Sequence, residues 1–288
     1  MLHTRREWLA GTVSTLAGMG LVSRTEGAES GGNASCPKVG MCDWSIGRVD
    51  VSAFELGKRI GLDGIEVSIG YPKDKLRLRQ PDLQQEYLEA ARRHGMSIPS
   101  VAMGVLNEVP LKSEPRAALW VADTIEVARN LGAKNILLAF FGPGDLYERP
   151  AIEVNRVVDA LIELAPRAEK AGVVLGIESF LSAEDHLKIL ERVKSDAVQV
   201  YYDVYNSGVT KKYDAVREIK LLGKRICQIH FKEGPHHLGH GEVDWPAVVA
   251  ALKEIGYRGW VVLETANPKD VVADTQRNLQ YVRKLFTG

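Results

Sequence analysis

From Lys38 to the C-terminus, short runs rich in β-branched and apolar residues alternate eight times with longer amphipathic segments. The runs are VGMCDW (39–44), GIEVSIG (64–70), SIPSVAM (97–103), NILLAFF (135–141), VVLGIE (173–178), VQVYYD (198–203), ICQIH (226–230) and WVVLE (260–264). A strand recurring roughly every thirty residues, with a helix between each pair, is the repeat of a parallel β/α fold. Eight units exceed the usual size of an open doubly wound sheet, so the expected fold is α/β, a single (β/α)8 TIM barrel.

The segments between the runs carry helix punctuation. Helices are expected over 51–61, 81–95, 115–131, 152–170, 183–194, 214–222, 245–255 and 271–285. Pro81 suits a first helical turn, and Gly61, Gly95, Gly132 and Gly172 stand as stops. No GxGxxG or GxxxxGK[ST] follows the first strand, which removes the dinucleotide and P-loop readings.

Charge narrows the partners. The 37 basic and 37 acidic side chains cancel, leaving no electrostatic footprint for nucleic acid or an anionic membrane. A small neutral or mildly anionic molecule fits better. Cys36, Cys42 and Cys227 do not make a disulfide framework in a chain of 288 residues, and none sits in a CxxC pair. Cys227 is expected in a strand core.

Residues 1–35 read as a signal and linker rather than as fold. Arg5 and Arg6 precede an apolar, small-residue stretch over 9–22, which resembles a twin-arginine export signal. That stretch is too short and glycine-rich for a membrane span. Residues 23–35 are rich in Gly, Ser, Glu and Ala, with cleavage expected near Ala28. The expectation is therefore an exported, periplasmic protein with no stable membrane insertion, its barrel occupying 36–288.

The last four strands end in Glu178, Asp203, His230 and Glu264. Side chains alternate along a barrel strand between the interior and the helix layer. Counting back from Glu178, Gly176 and Val174 share its face, while Ile177, Leu175 and Val173 point to the helices. The same count puts Tyr201 inside with Asp203, Gln228 with His230, and Val262 with Glu264. All four polar groups then face the interior at one level. Three clustered carboxylates repel one another unless a cation balances them, and an oxygen-rich site with one imidazole suits Mn²⁺ or Mg²⁺, ahead of Co²⁺ or Zn²⁺. Glu66, Asp43, Asn107 and Glu108 lie near the ends of the early strands, where lining a pocket mouth and capping are both open roles. Trp44, Phe140, Phe141 and Tyr205 are candidates for apolar walls or for core.

The phrases GIES, YYDVYN, IHFKEG, LGHGEVDW and VVLET, in this order and spacing, resemble the xylose-isomerase-like barrel superfamily of sugar and sugar-phosphate isomerases and epimerases. In the ketose 3-epimerase and hydroxypyruvate isomerase branches, the resemblance implies one divalent metal on Glu178, Asp203, His230 and Glu264. It also implies that Glu178 and Glu264 serve as an acid/base pair. A proton next to a ketone leaves from one face and returns to the other, so carboxylates are needed on both sides, and the metal stabilises the enediolate.

The chain also departs from that pattern. Asn206 stands where epimerase relatives commonly carry a substrate-touching histidine, and an amide cannot exchange protons near neutral pH. His240 replaces a frequent loop acid, and His237 a frequent arginine. Asn206, His237 and His240 are the expected substrate contacts, with solvent exposure the other role open to the loop histidines, and Lys232, one step above His230 on the same face, either contacts a substrate oxygen or neutralises a carboxylate. The expected activity is proton transfer next to a carbonyl on a free sugar or sugar derivative. Cleavage of a 3-keto-glycoside on the same barrel and non-catalytic sugar binding are the alternatives. A multi-zinc nuclease of the apurinic-endonuclease type lacks the early-strand histidines and the basic groove it needs.

Overall fold

The computed structural model describes residues 36–266 and 269–288; the expected signal segment and its cleavage site lie outside these. Eight parallel strands close into a barrel in chain order, with β8 pairing back to β1. They are β1 (Val39–Cys42), β2 (Gly64–Ser68), β3 (Ser100–Met103), β4 (Asn135–Phe140), β5 (Val174–Ser179), β6 (Val198–Asp203), β7 (Ile226–Phe231) and β8 (Val261–Leu263). The helices around them are α1 (Ser52–Ile60), α2 (Pro81–His94), α3 (Pro115–Leu131), α4 (Ala151–Ala171), α5 (Ala183–Val193), α6 (Ala215–Leu222), α7 (Trp245–Glu254) and α8 (Val271–Thr287).

The punctuation read from the sequence is used as expected. Pro81 and Pro115 open α2 and α3, where a missing N–H costs nothing, and each helix ends on a left-handed glycine, Gly95 (φ 62°) and Gly132 (φ 71°). Asp244 caps α7 by accepting from the Ala247 N–H, and Asp270 caps α8 through Val272 and Ala273.

Alternation sorts the strand residues into two environments. Leu175, Ile177, Val198, Val200, Tyr202, Ile229, Phe231, Val261 and Leu263 join the apolar layer between strands and helices. Each such side chain, fully buried, contributes about 1.5–3 kcal/mol, so this layer holds the helices on. The interior is different. Its apolar cluster is small, Ala102, Leu137, Ala139 and Tyr201, while Glu66, Ser100, Asn135, Glu178, Asp203, Gln228 and His230 are also buried.

One irregularity keeps that arrangement in phase. Val200 pairs with Ile226 and Tyr201 with Gln228, so Cys227 is an extra residue in β7. The bulge lets Ile226 and Ile229 both join the helix-facing layer while Gln228 and His230 face inward. Cys227 is half-buried and packs on the interior cluster rather than in the main core. All three thiols are free.

Candidate metal centre and active site

The ends of β5 to β8 bring Glu178, Asp203, His230 and Glu264 together. Asp203 and His230 are direct neighbours across β6 and β7, and Glu264 follows β8 with its N–H bonded to the Phe231 carbonyl. One ligand atom from each lies within 4.8 Å of all the others. His230 Nδ1 is 3.0 Å from Glu178 Oε1 and 3.5 Å from Glu264 Oε2.

Asp203 is oriented by the segment that leaves its own strand. The Asn206 N–H, at the start of a π-helical turn over Asn206–Thr210, donates to Asp203 Oδ1 at 2.7 Å. The other oxygen, Oδ2, is buried without a hydrogen-bond partner. An orphan carboxylate oxygen, two further carboxylates and an imidazole nitrogen around one point fit a hard divalent cation.

The electrostatics of the protein without metal point the same way. Burial raises Glu178, and it pushes Asp203 up to about 7, with Glu264 and Glu178 adding to the effect against Lys232. Glu264 moves in the opposite direction. Burial would raise it, but His230, Lys232 and the Trp44 N–H together hold it below the usual range. Lys232 Nζ sits 3.0 Å from Glu264 Oε2 and 3.9 Å from Asp203 Oδ2, and Trp44 Nε1 donates to Glu264 Oε1 at 3.2 Å. Two carboxyls pushed apart in this way are the usual means of supplying an acid and a base at one pH. His230 is also shifted: burial opposes its charge, but Cys42, Glu178 and Glu66 outweigh burial and raise it.

A cavity of about 430 Å³ opens over this cluster, with Glu178 and Glu264 among its lining. Trp44 and Phe141 line it as well, and it extends to Ser68, Tyr71, Arg77 and Asn107 from the early strands and their loops. Phe140, by contrast, is buried in the helix-facing core. Asp43 is not at the mouth but beneath it. It accepts from the Ser68 N–H at 2.7 Å and hydroxyl at 2.6 Å, and burial pushes it up to about 6 against those bonds.

Glu66 proves to be deeper than a mouth residue. It is fully buried in the interior, with Oε1 3.1 Å from His230 Nε2. Its Oε2 accepts from the Tyr201 hydroxyl at 2.6 Å and from the Ser100 hydroxyl. Gln228 Nε2 donates to both hydroxyls at 2.7 Å, and Asn135 Nδ2 donates to Gln228 Oε1 at 2.7 Å. Strand alternation would have found Glu66: Ile65 and Val67 face the helices, so Glu66 faces inward.

Of the residues marked from sequence as ligands or substrate contacts, Glu178, Asp203, His230, Glu264, Lys232 and Asn206 therefore gather at one place, with Glu178 and Glu264 lining the cavity. The histidine loop does not join them. His237 Nε2 lies 3.4 Å from Asp274 Oδ1 on α8, His240 is exposed, and neither lines the cavity. The residue organising that loop is Glu233, 1% exposed, which accepts from the Gly239 and Val243 N–H groups and from the Trp245 indole.

A closed β/α barrel with an acid-rich, metal-competent cluster at the C-terminal strand ends belongs to the class that performs small-molecule chemistry on that face. Within that class, residues 54–285 match the xylose isomerase-like TIM barrel family, and the chain belongs to it. It is 26% identical to the L-ribulose 3-epimerase of Methylomonas sp. over 256 residues, 85% of this chain and 87% of that protein. It is also 26% identical to the 2-epi-5-epi-valiolone 7-phosphate 2-epimerase of Actinoplanes sp. over 203 residues, 70% and 74% of the two chains. A D-psicose 3-epimerase structure from Clostridium cellulolyticum H10 shares the fold with a TM-score of 0.75 at 19% identity, covering 87% of this chain and 100% of that one. These relatives are epimerases, enzymes of the isomerase class. Among the described residues, no helix is long and apolar enough to cross a membrane.

Proposed function

We propose that this protein is a metal-dependent sugar epimerase or isomerase that transfers a proton next to a carbonyl through an enediolate. The observation that carries the reading is the convergence of Glu178, Asp203, His230 and Glu264 within 4.8 Å beneath a cavity. These four residues would hold one divalent ion, Mn²⁺ or Mg²⁺ by the hardness of the donors. Such an ion, when bound, polarises the substrate carbonyl and an adjacent hydroxyl.

The remaining steps belong to the protein. Glu178 and Glu264 both line the cavity, and in this reading one takes the proton from one side of the carbon and the other returns it to the opposite side. The Asn206 N–H aims Asp203, and Lys232 holds the charge of Glu264. Substrate hydroxyls fall to Ser68, Arg77 and Asn107 rather than to His237 and His240. The substrate is a small carbohydrate. Incubating ketoses with the Mn²⁺-loaded protein in D₂O should replace the C–H next to the carbonyl, and Glu178→Gln or Glu264→Gln should slow this at least about 100-fold. Unimpaired exchange in both variants would remove the two-carboxylate mechanism. Binding without exchange would favour a sugar-binding barrel.

Cleavage of a 3-keto-glycoside is favoured by one further observation. The cavity, about 430 Å³, is lined by Tyr71, Lys73 and Arg77 as well as by the carboxylates, and in this reading those side chains would face a second ring. The same proton abstraction would then expel that ring, and release of a free sugar from a keto-disaccharide would distinguish it from epimerisation. We also propose export, on the paired arginines Arg5 and Arg6. Retention of the protein in the cytoplasm after replacing both by lysine is the expected result.

A further inference from the structure

The hydrogen bonds inside the barrel run in one direction. Asn135 donates to Gln228 Oε1, which leaves Gln228 Nε2 as the donor to both the Ser100 and Tyr201 oxygens. Each hydroxyl has one proton, and both protons go to Glu66 Oε2. Glu66 Oε1 faces the Cys42 thiol at 3.5 Å and His230 Nε2 at 3.1 Å. Turning the Gln228 amide over would make both hydroxyls donate to Gln228 and aim their lone pairs at the Glu66 carboxylate. Of the two senses, only the first gives the Gln228 amide, both hydroxyl protons and the Glu66 carboxylate a partner.

We propose that Glu66 is a positioning residue for the metal centre: acting solely as an acceptor, it keeps the His230 proton on Nε2 and presents Nδ1 to Glu178, Asp203 and Glu264. This rests on the metal-centre reading above and extends it to a residue on β2, with Gln228, Ser100, Tyr201 and Asn135 as its support. An imidazole whose far N–H is held by a carboxylate has a fixed tautomer and ring plane and is a more basic ligand. The ring is also braced by Tyr201, edge-on at 4.6 Å between centroids. The polar barrel interior thereby acquires a purpose, since the hydroxyls and amides below the site set the direction in which its histidine points.

The test uses the purified full chain, with Mn²⁺ affinity measured by calorimetry and the His230 nitrogens observed by ¹⁵N NMR with Mg²⁺ bound. Glu66→Gln brings an NH₂ among groups that all donate, and should weaken Mn²⁺ binding about 10- to 100-fold and move proton density towards Nδ1. Tyr201→Phe keeps the ring against His230 and removes one donor to Glu66, so it should weaken binding by a smaller factor. If Glu66→Gln fails to fold, Tyr201→Phe carries the affinity measurement and the wild-type spectrum carries the tautomer. A wild-type proton on Nδ1, or Tyr201→Phe together with any folded Glu66→Gln binding Mn²⁺ as wild type does, would overturn the proposal. Wild-type protein that binds no Mn²⁺ would overturn the metal-centre reading itself. Tight binding without substrate exchange would overturn only the epimerase reading.

Discussion

At the scale of single residues, Glu233 shows how one buried carboxylate builds a loop. Its two oxygens collect two backbone N–H groups and an indole N–H, fixing the stretch from Gly239 to Trp245 over the end of β7. Charge-assisted bonds of this kind contribute about 1.5–3 kcal/mol each, and removing their acceptor strands the donors. Glu233→Ala should therefore cost about 3 kcal/mol or more in urea unfolding, while Mn²⁺ affinity stays near that of the native protein. None of this was legible beforehand. Strand residues announce their facing by alternation, which is why Glu178, Asp203, His230 and Glu264 could be placed from sequence. A loop has no period. The grouping in HHLGH suggested substrate contact or solvent exposure; what it could not show is that α8, distant in sequence, places Asp274 against His237 while His240 stays exposed. Glu66 was legible by the same alternation, but its depth depended on the narrow interior around Ser100 and Tyr201.

At the scale of elements, the join between β5 and α5 has its own pH dependence. His186 Nε2 meets the Ser179 hydroxyl at 3.0 Å, and Nδ1 meets the Ser182 carbonyl at 3.0 Å, so the neutral ring is fully paired. Burial lowers its pKa to about 4 from 6.5, against the pull of Ser182 and Asp185. A base depressed in the folded state contributes stability that is present above the unfolded value and lost as pH falls through the folded one. Stability should therefore drop by about 3 kcal/mol between pH 6.5 and 4, and His186→Gln should flatten that part of the curve in denaturant titrations. Helix ends were largely readable because Pro and Gly act locally. The bulge at Cys227 was not readable, because the extra residue becomes visible only when β7 is aligned with β6.

At the scale of the whole molecule, the site without a cation opposes the fold. Asp203 is pushed up to about 7 by burial and by its carboxylate neighbours, so without metal the folded state prefers its proton. That contribution is complete below the unfolded value near 4 and is lost as pH rises through 7, making the metal-free protein less stable at pH 8 than at pH 6 on this account. A divalent ion needs the ionised form, so its stabilisation should run the other way. At a hundredfold excess over Kd it amounts to about 2.7 kcal/mol, or several degrees in Tm, and at a fixed metal concentration it should be larger at pH 8 than at pH 5 in calorimetric scans.

The shortest strand carries a consequence for how the chain reaches this state. β8 spans three residues, yet it pairs with both β7 and β1 and so joins the two ends of the barrel sequence. Until it docks, β1 and β7 are open edges, and closing the longest loop in the chain costs entropy before any contact repays it. Glu264 is the next residue after β8, so the four-residue cluster is complete only once the seam is shut. On refolding, Mn²⁺ uptake should lag behind helix formation seen by stopped-flow circular dichroism and coincide with the slowest phase, which makes the metal a marker of barrel closure.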